Sequence, residues 1–138
     1  MISVLDASAV LRFLLGEAGD QRVEEILEGS QRGASRAVIS AINCGEVVGK
    51  IYQSQGRLAA EALATTLQFY GLEIVPVTAD RTARAAVLKV DLKLGYADAI
   101  CVELAASLPN STIITADYDF VAATALVAIE FLPNRPKP

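Results

Sequence analysis

Apolar positions follow two rhythms that alternate along this 138-residue chain. Short apolar runs read as buried strands: the one ending at Asp6, then Ala34–Ile39, Leu72–Val75, Ser111–Thr115 and Leu126–Phe131. Between them apolar residues recur at helical spacing. A helix over Ser8–Leu15 stops at Gly16, and a second, capped by Asp20 with Val23, Ile26 and Leu27 inward, ends near Gly29. Ser40 caps a helix over about Ala41–Ser54 with Cys44, Val47, Val48, Ile51 and Tyr52 as its core stripe. Glu46 points away from that stripe with Ile42, Gly49 and Gln53. One helix from Arg57 to Gly71 turns Ala59, Ala62, Leu63, Thr66, Leu67 and Tyr70 inward. Thr78 caps another with Ala79, Ala83, Ala86, Val87, Val90 and Leu94 inward. The helix after Gly95 buries Ala97, Ile100, Cys101, Leu104, Ala105 and Leu108. Asp117–Ala123 forms a short helix, and the Pro-rich tail Pro133–Pro138 is loose.

Strands alternating with helices imply a parallel sheet with right-handed crossovers, in one domain without repeat or linker. The composition changes little in that picture. Hydrophobic residues make up 53% and charged residues 20%, against disorder, and no apolar run approaches a membrane span. The chain begins directly with a strand, which leaves no room for a signal segment and makes the cytoplasm the expected compartment. Cys44 and Cys101 lack CxxC spacing and read as buried reduced thiols.

Charge and chemistry narrow the function. A net charge of −4 argues against holding nucleic acid by bulk electrostatics, though not against a nuclease whose acidic site is neutralised by metal. The absence of any His excludes Ser-His-Asp and Cys-His catalysis, His-type RNase chemistry and His-ligated zinc. Chemistry here runs on carboxylates, hydroxyls, amides, Lys or Arg.

Four acids stand at informative places. Asp6 follows the first strand and Asp117 the fourth, so both reach the sheet's carboxyl edge, where open α/β folds bind ligands. Asp98 lies in the first turn of its helix, and Glu46 about two turns into a helix that begins where the second strand ends. Each also has a plain reading: Asp6 or Asp117 as a helix cap, Asp98 as a partner of the helix dipole, Glu46 as a solvated residue. Glu24, Glu25, Glu28, Glu61 and Glu103 read as solvated faces. Four ionised carboxylates about 5 Å apart would repel by roughly 3 kcal/mol per pair at an effective dielectric near 20. Such a cluster must protonate or hold divalent cations, and hard oxygen ligands favour Mg²⁺ or Mn²⁺.

Four segments carry a family resemblance: Val4-Leu5-Asp6-Ala7-Ser8, Ser40-Ala41-Ile42-Asn43-Cys44-Gly45-Glu46, Tyr96-Ala97-Asp98-Ala99 and Thr115-Ala116-Asp117-Tyr118-Asp119-Phe120. In that order and spacing the chain resembles the PIN-domain family, and most closely the VapC-type ribonuclease toxins of toxin–antitoxin pairs. The resemblance implies a three-layer PIN-like α/β fold with a five-stranded, mostly parallel sheet flanked by helices on both faces, spanning residues 1–132. It implies a metal-dependent endoribonuclease in which Asp6, Glu46, Asp98 and Asp117 hold Mg²⁺ or Mn²⁺. Ser8, Asn43, Thr115 and Asp119 then support these ligands through hydrogen bonds or water. The implied partners are RNA, a cognate antitoxin and a second copy in a homodimer, with no membrane.

Two departures and two rivals remain. Leu94-Gly95-Tyr96-Ala97 differs from the family's usual approach to its third acid, and Tyr96 either stacks on a base or packs. No basic stripe is visible; Arg12, Arg36, Lys50, Arg81 and Arg84 are candidates for phosphate contact. A receiver-type Mg-binding phosphoacceptor requires an acidic pair after the first strand and an Asp after the central one, whereas Asp6 stands alone and the third strand ends in Val75-Pro76-Val77. A catalytically silent PIN-domain binding module ordinarily lacks one or more acids, and this chain keeps all four.

Overall fold

A computed structural model describes residues 1–134. The five apolar runs are strands: β1 (Ile2–Leu5), β2 (Arg36–Ser40), β3 (Leu72–Val75), β4 (Ser111–Thr115) and β5 (Ala128–Phe131). They form one sheet in the order β3-β2-β1-β4-β5, every neighbouring pair parallel. The helices are α1 (Ala7–Leu15), α2 (Asp20–Gln31), α3 (Ala41–Gln55), α4 (Arg57–Glu61), α5 (Leu63–Phe69), α6 (Ala79–Leu92) and α7 (Tyr96–Ser107), with a 3₁₀ helix over Tyr118–Ala123. The result is the three-layer, helix-flanked parallel sheet that the sequence implies.

The two faces of the sheet bury separate cores. Leu5, Ile39, Leu72 and Ile114 pack with Val10, Leu27, Val47, Ile51 and Leu67 on one face. On the other, Val4, Val38 and Ile113 pack with Ile100, Val102, Leu104 and Phe120. This alternation along β1, Val4 to one side and Leu5 to the other, is the period of two of a strand covered on both faces. The chain runs outward from β1 through β2 to β3, then crosses back to β4 on the other side of β1. The strand order therefore reverses between β1 and β4, and the crevice at their carboxyl ends is where such sheets take ligands. Gly71 makes one close approach possible: its φ is +100°, and a Cβ there would meet Gln31 N at 2.8 Å and Leu27 O at 2.9 Å.

Several expectations are corrected. Helix α2 runs through Gly29 to Gln31, and Gly29 serves instead as a close-packing position, where a Cβ would meet Ser35 Oγ at 2.8 Å. The segment after Gly56 is two helices broken at Ala62, with Leu63 and Leu67 buried but Ala62, Thr66 and Tyr70 exposed. On α3 the stripe holds for Cys44, Val47 and Ile51, while Tyr52 is half exposed beside Arg57. Helix α6 is rotated from its predicted face: Ala85, Leu88 and Leu92 turn inward, and Val87 and Val90 lie on the surface.

The observed face also carries an ionic contact. Glu103 of α7, read as solvated, is only 4% exposed and accepts from Arg81 Nη1 at 2.9 Å and Arg84 Nε at 3.0 Å. A charge that buried must be paired, and the Arg81–Arg84 side of α6, laid on α7, pairs it. Arg12 is buried as well, donating to the carbonyls of Ala18 and Pro133 and so holding the start of the tail to α1. The rest of the expected loose tail, residues 135–138, lies outside the described residues. Both cysteines are buried and free. Among the described residues no helix is long and apolar enough to cross a membrane.

Candidate active site

Asp6 stands where β1 ends, at the reversal of strand order. It is 4% exposed and caps α1 by accepting from Ala9 N at 3.0 Å. Capping does not use up the carboxylate. Ser8 Oγ donates to both of its oxygens at 2.8 and 2.9 Å, and Thr115 Oγ1 donates to Oδ2 at 2.6 Å. Thr115, the last residue of β4, also accepts from Asp117 N at 2.9 Å. Ser8 Oγ accepts from Ala116 N at 2.8 Å, so these two hydroxyls lock the ends of β1 and β4 together. Asp117 in turn caps the 3₁₀ helix by accepting from Asp119 N.

The other two acids arrive on helices. Ser40 caps α3 and donates to Asn43 Oδ1 at 2.7 Å, which fixes the amide of a fully buried Asn43. Asn43 Nδ2 then donates to Glu46 Oε1 at 3.2 Å and to the Ala97 carbonyl at 3.1 Å. One amide thus ties Glu46 to the first turn of α7, beside Asp98. Asp6, Glu46, Asp98 and Asp117 line a single cavity of about 260 Å³ with Ser8, Leu11 and Lys50.

Their charges act on one another. Burial raises Asp6 to a pKa of about 6, against the bonds from Thr115, Ala9 and Ser8, and the charge of Asp117 adds to the rise. Asp98 is also raised to about 6, by burial first and then by the charges of Asp117, Asp6, Glu46 and Asp119. Cys101, fully buried behind the cavity, is raised well above its ordinary value by burial and by the charges of Asp6, Asp98 and Glu46, so its thiol stays protonated.

Of the predicted supporting residues, Ser8, Asn43 and Thr115 hold the acids directly. Asp119 contributes its backbone N–H and its charge, while its carboxylate faces solvent. Tyr96 is 42% exposed, and its hydroxyl donates to the Thr82 carbonyl at 3.2 Å. Of the five candidate phosphate contacts, Arg36 pairs with Glu73, Arg81 and Arg84 pair with Glu103, and Arg12 is spent on carbonyls. Lys50 is the one that lines the acidic cavity. Tyr118, given no role from the sequence, lies against the site; its adjacency to Asp117 was the available signal.

The donor set fits a hard divalent cation. Its acidic side chains are carboxylates alone, with no thiolate or imidazole in the lining, and two of them hold protons more tightly because they are buried and, secondarily, because their neighbours are negative. Among the described residues no group of three or more His, Cys, Asp or Glu side chains is arranged so as to hold a metal ion. The acids line the wall of the cavity without converging on one point.

A parallel α/β sheet with an oxygen-only acidic cavity at its reversal point is the class that fold and site define. The chain belongs to the PIN domain family, whose model matches residues 3–126. A comparison with curated protein sequences finds no match. Among solved structures it is similar to the Rickettsia felis VapBC2 complex bound to a promoter DNA fragment, with a TM-score of 0.70 and 20% identity over 95% of this chain and 98% of that one. It is similar also to Mycobacterium tuberculosis VapC20, a sarcin-ricin loop cleaving toxin, with a TM-score of 0.67 and 21% identity over 97% and 99% of the two chains. The DNA-bound VapBC of Salmonella typhimurium gives a TM-score of 0.69 at 14% identity, over 95% and 98%. At these identities the likeness is one of fold.

Proposed function

We propose that this chain is a Mg²⁺- or Mn²⁺-dependent endoribonuclease, acting in the cytoplasm as the toxin of a toxin–antitoxin pair, with residues 1–132 as the nuclease domain. The observation that carries the reading is the meeting of Asp6, Glu46, Asp98 and Asp117, delivered by four separate segments, in one cavity without a histidine. These four are the residues that would hold the cation. When bound, the cation supplies an activated water and neutralises charge developing on the phosphodiester.

The remaining work falls to the chain's own side chains. Thr115 and Ser8 hold the Asp6 carboxylate in one orientation, and Thr115 couples it to the backbone of Asp117. Asn43 holds Glu46 at the edge of the cavity and anchors α7 beside it. Such preorganisation sets ligand geometry before substrate arrives. Lys50 offers the cavity a positive charge for the phosphate. The VapBC assemblies among the similar structures support an antitoxin as partner, and a homodimer goes with the same reading.

The test uses purified protein free of any partner, Mn²⁺ or Mg²⁺, and tRNA, ribosomal RNA and mRNA as substrates. Cleavage is expected with metal, and Asp6→Asn abolishes it. No cleavage together with no metal binding by calorimetry defeats the enzyme reading. Induction in cells tests the toxin role: harm from the wild type and none from Asp98→Ala is expected, and identical harmless growth of both sinks it.

A further inference from the structure

The acidic cavity opens into a larger neighbour of about 490 Å³ that shares Ser8, Leu11, Lys50 and Asp117 with it. That volume lies in the range of small-ligand sites, roughly 300–1,000 Å³. Beyond the shared residues its walls are Arg12, Leu15, Glu17, Ala116 and Tyr118, of which Leu15 and Tyr118 are each 44% exposed. Tyr118 is held at two points. Its ring stacks on Phe131 with centroids 5.0 Å apart and planes 12° from parallel, and its hydroxyl donates to the Leu132 carbonyl at 2.8 Å. A ring pinned this way gives up little freedom when another ring is laid against its open side.

Lys50 lies on α3 one turn beyond Glu46 and lines both cavities. Lys50 is thus shared between the cavity that holds the four acids and one whose walls include an aromatic ring and aliphatic side chains. A chain of nucleotides presents a phosphate to be cleaved and, beside it, a flat apolar base. We propose that the second cavity takes the nucleobase next to the scissile phosphate of single-stranded RNA, with Tyr118 as stacking platform, Leu11 and Leu15 as apolar wall, and Lys50 on the phosphate between the cavities. The base is unpaired, since a base stacked in a duplex has no free face to offer Tyr118. The proposal rests on the ribonuclease reading above and deepens it to a base-binding subsite.

The experiment uses the full chain and an oligoribonucleotide that it cleaves at one bond, with versions lacking the base at either nucleotide flanking that bond. Removing one of the two flanking bases is expected to raise KM roughly tenfold with little change in kcat, the range that base–aromatic stacking supplies. Tyr118→Leu raises KM by a similar factor on the intact oligonucleotide and adds nothing on the base-deleted one. Lys50→Gln raises KM on every version and flattens its dependence on salt. The base-deletion arm needs no substitution, so it stands even if Tyr118→Leu folds poorly.

Cleavage by the wild type with KM unmoved by either base deletion overturns the base cavity and leaves the ribonuclease reading intact. A Tyr118→Leu protein that loses only its association with a protein partner makes the cavity a protein-docking one and likewise overturns the proposal. A wild type that cleaves no RNA removes the ribonuclease reading and the base cavity with it.

Discussion

Thr115 Oγ1 donates to Asp6 Oδ2 at 2.6 Å across 109 residues of sequence, and accepts the Asp117 N–H at 2.9 Å. One hydroxyl thereby sets the positions of two acids at the ends of β1 and β4. Thr115→Val keeps the shape of the side chain and removes that hydroxyl. The loss leaves a buried carboxylate short of its closest donor and a backbone N–H without its acceptor. Stability is expected to fall by about 1–3 kcal/mol in urea denaturation. Metal-dependent cleavage is expected to fall roughly 10–100-fold, and Thr115→Ser recovers most of both. Equal cleavage by Thr115→Val and wild type would remove Thr115 from the site's supports.

Asp98 is raised by burial and by three other cavity acids, so removing its charge relieves the rest. Asp98→Asn is expected to melt at a higher temperature than wild type in EDTA at pH 7.5. With Mn²⁺ added the order reverses, because wild type gains binding energy and the variant, short of one anionic ligand, gains less. A variant that is less stable without metal, or equally stabilised by it, contradicts the repulsion argument.

The pH dependence follows from Asp6, whose pKa rises from 3.8 unfolded to about 6 folded. The folded state therefore binds more protons between those values, and stability falls as pH rises across them. The contribution is fully present below about 3.8 and lost as pH passes through 6. Its size is about 3 kcal/mol at most, from about 1.4 kcal/mol per pH unit. Asp6→Asn keeps a capping oxygen and has no proton to lose, so its metal-free stability is expected to fall less steeply over this range, the remaining slope coming from Asp98, which is also raised to about 6. Parallel stability–pH curves for the two proteins in EDTA would rule the linkage out.

Arg81 and Glu103 test how α6 is oriented. Arg81→Met strands part of the buried Glu103 charge and is expected to cost about 2–4 kcal/mol, whereas Glu103→Gln, which strands only surface-reaching arginines, costs less. Urea denaturation of both variants gives the comparison. A larger loss for Glu103→Gln would mean that apolar packing, not the ion pairs, sets the rotation of α6.

The strands were legible because each run is covered on both faces and so apolar almost throughout, as Val4-Leu5 and Ile113-Ile114 show. Asp6 and Asp117 were legible with them, since a parallel strand delivers the one or two residues that follow it to the carboxyl edge. Helix α6 was not, because its alanines and valines offer apolar residues on two faces, and the Glu103 pairing that accompanies the observed one joins distant segments. Glu46 shows the same limit at the site. Helical periodicity separates residues that face the core from those that do not, but it cannot separate a cleft from bulk water.

By itself, then, the sequence determined the alternation of strands and helices, the two acids at the strand ends and the histidine-free chemistry, because burial period and composition are local properties. Tertiary structure decided that Asn43 joins Glu46 to α7 beside Asp98, that Glu103 is buried, and that Tyr118 and Lys50 flank the acids. Each of those depends on which surfaces meet across distant segments, and a meeting of surfaces leaves no period in a single chain.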